Sequence, residues 1–222
     1  MYHNNMEFVE GVIKMIEFKK NTSCVSFIRH QDSYKKHKEI IKLYNHFKLY
    51  SQFTVIIAGG YVTYLEGLTS SYTDVNVFVL VEFMHKSHHH CLYFLLNDYF
   101  KNKTISFYIS PYYRSLTKAI YVWDHSSNIL YNFIMIKSSY DSWMNHCDYL
   151  FSMMDLNYVK CSLSHDGTSI YRHITPSLLV DNPSTITLTR IKKFKSRLIS
   201  YGSPVSLISI CWNYIVNDFY GV

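Results

Sequence analysis

Two apolar, β-rich runs, "FTVIIA" at 53–58 and "VNVFVLVEF" at 75–83, constrain this chain more than any other feature. Neither run keeps the polar–apolar alternation of a strand with one wet face, so each reads as a strand buried within a sheet. Between them, "GGYVTYLEG" reads as a turn into a short helix closed by Gly67. Upstream, "SYKKHKEIIKLYNHFKLY" at 33–50 sets Ile40, Ile41, Leu43, Tyr44 and Phe47 at near-helical spacing with lysines opposite. It predicts an amphipathic helix with Ser33 as its cap and Leu43, Tyr44 and Phe47 in the core. The order is helix, strand, turn, short helix, strand.

Downstream, "CLYFLLNDYF" is helical by length and period, and "TISFYIS", "KAIYVW" and "LYNFIMIK" are β-rich, separated by the turn-like "SPYYRS" and "DHSSN". "SYDSWMNHCDYLFSM" predicts a helix capped near Ser139 or Asp141. It leads into "DLNYVKCSL", a strand that "SHDG" turns back toward "TSIYRHI". From "NPSTITLTRIKKFKSRL" the chain reads as a capped basic helix, a Ser/Pro break and a short apolar tail. The expected architecture is α+β: one domain over 1–222, with a core about 33–180 holding a mixed sheet with helices mainly on one face, and the basic helix and tail over 181–222.

Composition supports a globular chain: 48% hydrophobic against 17% charged is the reverse of a disordered balance, and 21 tyrosines suit the half-buried surface of a sheet. A net charge of +6 leans toward anionic partners. Cys24, Cys91, Cys147, Cys161 and Cys211 are odd in number and widely spaced, which fits a reducing, intracellular setting. No apolar run reaches the length of a membrane span and the N-terminus lacks a clean signal-peptide core, so the expectation is a soluble protein without membrane partners.

Paired glycines after a buried strand let backbone amides approach an anion such as a triphosphate, and acids two residues apart on a strand share one face, where they hold magnesium. "AGGYVTYLEGLTSSYTDVNVFV" resembles the nucleotidyltransferase signature of DNA polymerase β-like enzymes, in which G-[GS] and a short helix precede D-x-[DE] at the start of the next strand. "LYNFIMIKSSYDSWMNHCDYLFSMMDLNYVKCSL" and "LTRIKKFKSR" are similar to later parts of divergent members, so the resemblance covers roughly 50–200. It implies a nucleotidyltransferase-type fold. Asp74 and Asp155 would be the catalytic carboxylates, with Asp74, Asn76 and Asp155 on Mg2+ or Mn2+. Gly59, Gly60, Thr69, Ser70 and Lys192 would be on a nucleoside triphosphate. The departure is Asn76, where the family has an acid; a neutral amide oxygen there weakens a hard cation's site.

Two functions therefore stand side by side: magnesium-dependent nucleotidyl transfer to a hydroxyl acceptor, or a catalytically impaired member that binds nucleotide, nucleic acid or protein. A third reading, an interaction protein unrelated to nucleotides, would gain if the glycines lay far from Asp74. The run Arg190, Lys192, Lys193, Lys195 and Arg197 is either a solvated face or a nucleic-acid contact. "HKSHHHC" at 85–91 reads as a solvated polar loop before it reads as a metal site, and "SHDG" at 164–167 as a hairpin turn before a triad.

Overall fold

A computed structural model describes residues 31–82, 86–113 and 117–172, together with Arg190 and Arg197. The elements are α1 (Gln31–Lys48), β1 (Thr54–Ala58), α2 (Gly60–Leu65), β2 (Val75–Val81), α3 (Lys86–Phe100), β3 (Ile105–Tyr113), β4 (Thr117–Asp124), β5 (Ile129–Lys137) and α4 (Trp143–Ser152), then a 3-10 turn (Asn157–Val159), β6 (Ser162–Leu163) and β7 (Ile170–Tyr171). The strands form one mixed sheet in the order β3-β4-β5-β2-β1-β6-β7. β2 pairs antiparallel with β1 and parallel with β5; the other pairings are antiparallel. Parallel neighbours cannot be joined by a tight turn, so the chain crosses through α3 and the β3–β4 hairpin before returning as β5.

Alternate residues of the central strands enter different cores. Val55, Ile57, Val77, Val79, Phe133 and Met135 pack under α1, α2 and α3, with Ile40, Leu43, Tyr44, Phe47, Tyr61, Val62, Leu92, Leu95 and Leu96. On the opposite face Ile56, Ala58, Phe78, Leu80, Ile134 and Ile136 pack against Cys147, Leu150 and Phe151 of α4. This is why neither β1 nor β2 alternates polar with apolar: both faces of each are covered. The α+β architecture and the mixed sheet are those expected, with three helices on one face and one on the other.

Local details differ at several caps. α1 spans Gln31–Lys48, so Ser33 lies inside it. α4 is capped by Ser142, whose hydroxyl accepts from the Asn145 amide at 3.1 Å, in place of Ser139 or Asp141. The histidine run opens α3 instead of forming a loop. "DLNYVKCSL" is a 3-10 turn and a two-residue strand, because Asp155, Tyr158 and Lys160 are buried and the segment packs as a corner under the sheet edge. "SHDG" is the expected β6–β7 turn: Gly167 has φ of 76°, its amide donates to the Ser164 carbonyl at 2.8 Å, and the Thr168 amide caps Asp166 at 3.1 Å. The basic helix and apolar tail lie outside the described residues except for Arg190 and Arg197. Among the described residues no helix is long and apolar enough to cross a membrane.

One polar tie joins α1 to the sheet. Lys103 Nζ reaches Glu39 at 3.1 Å and the fully buried Asp124 at 3.0 Å. Burial would raise the Asp124 pKa, yet hydrogen bonds from Ser126, Lys103 and Ser127 leave it below its ordinary value. Glu39 is lowered by Lys42 and, against its own partial burial, by Lys103. Depressed carboxyls stabilise the fold above their unfolded values near pH 4 and lose that contribution as pH falls through the folded ones. Asp124→Asn should thus cost about 2–3 kcal/mol at pH 7 by urea unfolding, with the gap to the wild type narrowing below about pH 4.

Candidate functional site

β1 ends at Ala58 and the chain turns through Gly59 into α2. Gly59 has φ of 85°, and a Cβ built there would lie 3.6 Å from Asn76 Nδ2, so the turn runs close beside β2. Its amide donates to the Cys161 carbonyl and its carbonyl accepts from the Thr63 amide, both at 3.0 Å. The Gly59 amide is thus committed to the fold and does not offer itself to a phosphate. Beside this turn opens a cavity of about 490 Å3, a size that suits a nucleotide-sized ligand. Gly59, Gly60, Asp74, Asn76, Asn132, Tyr121, Lys137, Asp155, Arg190 and Arg197 are among its walls.

The glycines and Asp74 therefore share one cavity, as do Asn76 and Asp155. Thr69 is buried, does not line the cavity, and its hydroxyl has no partner among the described residues. Ser70 lines a neighbouring cavity, and its amide donates to the Arg197 carbonyl at 2.7 Å, which ties Arg197 to the loop that leads into β2. Lys192 lies outside the described residues.

The floor is set by strand register. Asn76 of β2 lies opposite Asn132 of β5, and Asn132 Nδ2 donates to Asn76 Oδ1 at 2.9 Å. Asn132 is only 4% exposed, and its own Oδ1 has no hydrogen-bond partner among the described residues. That oxygen is itself buried, so it is sealed into the floor beside Asn76 and is not presented to the cavity. The sequence hid this residue because "YNFI" of β5 names no motif; only the pairing of β5 with β2 puts Asn132 beside Asn76.

Asp155 follows α4 at a bend and not on a strand, 3% exposed, with Arg190 Nη1 at 2.8 Å from its Oδ1. Arg190 thus balances that charge. Asp74 is half-buried at the mouth, where the Thr73 hydroxyl donates to it at 2.6 Å. A magnesium pair needs several hard, charged oxygens within a few ångströms of one another. Two neutral amides, one rim carboxylate and one carboxylate already matched by a guanidinium do not fit that requirement. Among the described residues no three His, Cys, Asp or Glu side chains converge as a metal site would require.

Other reactive groups are held neutral. Burial pushes the Cys147 thiol up to about 12 and raises Cys161 as well, so neither is a thiolate at neutral pH. Tyr72, on the cavity wall, is raised by burial and then by Tyr64 to about 12, which keeps its hydroxyl a donor. Neither a family model nor a characterised protein matches this chain.

The donor set makes a testable statement about metal. Asn76→Asp still accepts from Asn132 and should cost less than about 1 kcal/mol. Asn76→Asp with Asn132→Asp brings two carboxylates into hydrogen-bonding range, and like charges there should lower the melting temperature. In thermal unfolding with EDTA or with excess magnesium, the double variant should regain stability in magnesium, while the wild type is unmoved.

Proposed function

We propose that this chain is a nucleotidyltransferase-like domain that binds a nucleotide in the cavity beside Gly59 and does not transfer it. The observation behind this reading is that two guanidinium-bearing residues, Arg190 and Arg197, and Lys137 line the walls of one cavity of about 490 Å3 beside Gly59. Phosphates would meet Arg190, Arg197 and Lys137. Further support comes from the chain order: a strand followed by Gly59-Gly60, a short helix, and a neighbouring antiparallel strand led by Asp74. Catalysis in this family class needs metal-bridged phosphates, and here Asn76 and Asn132 supply neutral oxygen and nitrogen where charge is required. Arginine offers phosphate the same positive charge without a metal.

Calorimetry with ATP, GTP, CTP and UTP should therefore give binding in EDTA that changes little on adding magnesium or manganese, and no pyrophosphate release with either. Asp155→Asn with Arg190→Gln keeps a neutral hydrogen-bonding pair while removing the cation. Its nucleotide affinity should fall at least about tenfold, the loss of one charge-assisted contact. Binding that appears only with magnesium, or any pyrophosphate release, would point instead to an active transferase built on Asp74.

A further inference from the structure

The face of the sheet that floors the cavity continues beyond the cover of α4. Register places Asn76, Asn132, Tyr121 and Tyr108 in one row across β2, β5, β4 and β3. Leu130, Trp123 and Ser106 form the adjacent row on the same face. Residues two apart on a strand stand about 6.6 Å from each other, so Tyr121 and Trp123 present neighbouring rings. Tyr108 pairs with Tyr121 at 6.1 Å between ring centroids, and Trp123 stacks on His125 at 6.0 Å. Tyr108 remains 63% exposed and Trp123 43%, among the described residues. A second cavity, of about 350 Å3, lies at Trp123 and Leu130 and is also walled by Lys36, Tyr64 and Tyr72; it shares Ser71, Tyr72 and Thr73 with the first.

Neighbouring rings on a sheet face left exposed among the described residues, with Tyr121 and Trp123 bordering two adjoining cavities that each carry cations, match the way extended strands of bases are held. A protein partner would favour an anchor patch depleted of lysine. Here Lys36 shares the second cavity with Trp123, and Arg190, Arg197 and Lys137 share the first with Tyr121, in a chain of net charge +6. We propose that this face is a stacking platform for a single strand of nucleic acid, with bases on Tyr108, Tyr121 and Trp123 and the backbone passing from Lys36 toward Arg190 and Arg197. The platform stands on the open face and does not require the cavity to hold a mononucleotide.

Fluorescence anisotropy of a labelled oligo(rU) with the full chain tests it, beside oligo(dU) and a duplex of equal length. Oligo(rU) and oligo(dU) should both bind more tightly than the duplex and weaken steeply with salt. Trp123→Ala and Tyr108→Ala should each weaken this binding roughly five- to a hundredfold, with the salt slope and melting temperature kept, while Trp123→Phe restores binding. Lys36→Ala should instead flatten the salt slope. Unchanged affinity in Trp123→Ala with Tyr108→Ala, or tighter binding of duplex, would overturn the platform. Calorimetry of the same double variant with a mononucleotide separates the two sites: it should match the wild type, and a failure of mononucleotide binding in both chains would leave the platform standing.

Discussion

β2 lies between β1, to which it is antiparallel, and β5, to which it is parallel, and its register with both decides what the site contains. Because side chains alternate between faces, a slip of one residue would carry Asn76 into the core under α1 and α3 and turn Val75 and Val77 toward the cavity. Burial of Val77 and Val79 on one face and Phe78 and Leu80 on the other makes such a slip costly, since each buried aliphatic or aromatic side chain contributes roughly 1.5–3 kcal/mol. The apolar residues thereby hold the polar ones in place. Asn76 meets Asn132, and Gly59 fits against Asn76, as a consequence of packing elsewhere in the strand.

The electrostatics of the cavity follow from which charges are matched within the protein. Asp155 is buried and ion-paired with Arg190, so the charge that a metal would neutralise is already neutralised by a side chain. Removing Arg190 alone would leave the buried Asp155 charge without its match, which explains why the pair has to be changed together to read its role in binding. Glu66 and Arg172 form a second such tie, with Arg172 Nε at 3.1 Å from Glu66 Oε1 and Arg172 also donating to the Tyr158 carbonyl at 3.2 Å. It fastens the end of α2 to the corner that carries Asp155. Positive charge at Arg197 and Lys137 is left facing the cavity, and the surroundings are tuned for an anion with polar donors.

The sheet is covered unevenly. α1, α2 and α3 close one face, whereas α4 is ten residues long and covers only the rows around Phe78, Leu80, Ile134 and Ile136. The cavity sits where that cover ends, and the aromatic rows of β4 and β3 extend outward from it. Termination of α4 after Ser152, where the chain turns into the Asp155 corner, leaves Tyr121 and Trp123 at the surface beside the cavity.

Much of this was legible in the chain because it rests on local chemistry. Continuous apolar runs specify doubly covered strands; Gly59-Gly60 and Gly67 punctuate α2; the Ile40–Phe47 spacing specifies an amphipathic helix; and Asp74 and Asn76, two apart at a strand start, share a region near the glycines. These are short-range patterns, fixed by backbone sterics and by the periods of helix and strand. What the chain alone did not disclose depends on pairing between distant segments. Asn132 as the partner of Asn76 and Arg190 as the partner of Asp155 bridge 56 and 35 residues, and the alignment of Tyr108, Tyr121 and Trp123 on one open face arises only when β3, β4 and β5 come into register. Such contacts are chosen by the sum of burial over the whole sheet, a quantity that no window of the sequence contains, and so the charge balance of the site belonged to the tertiary structure.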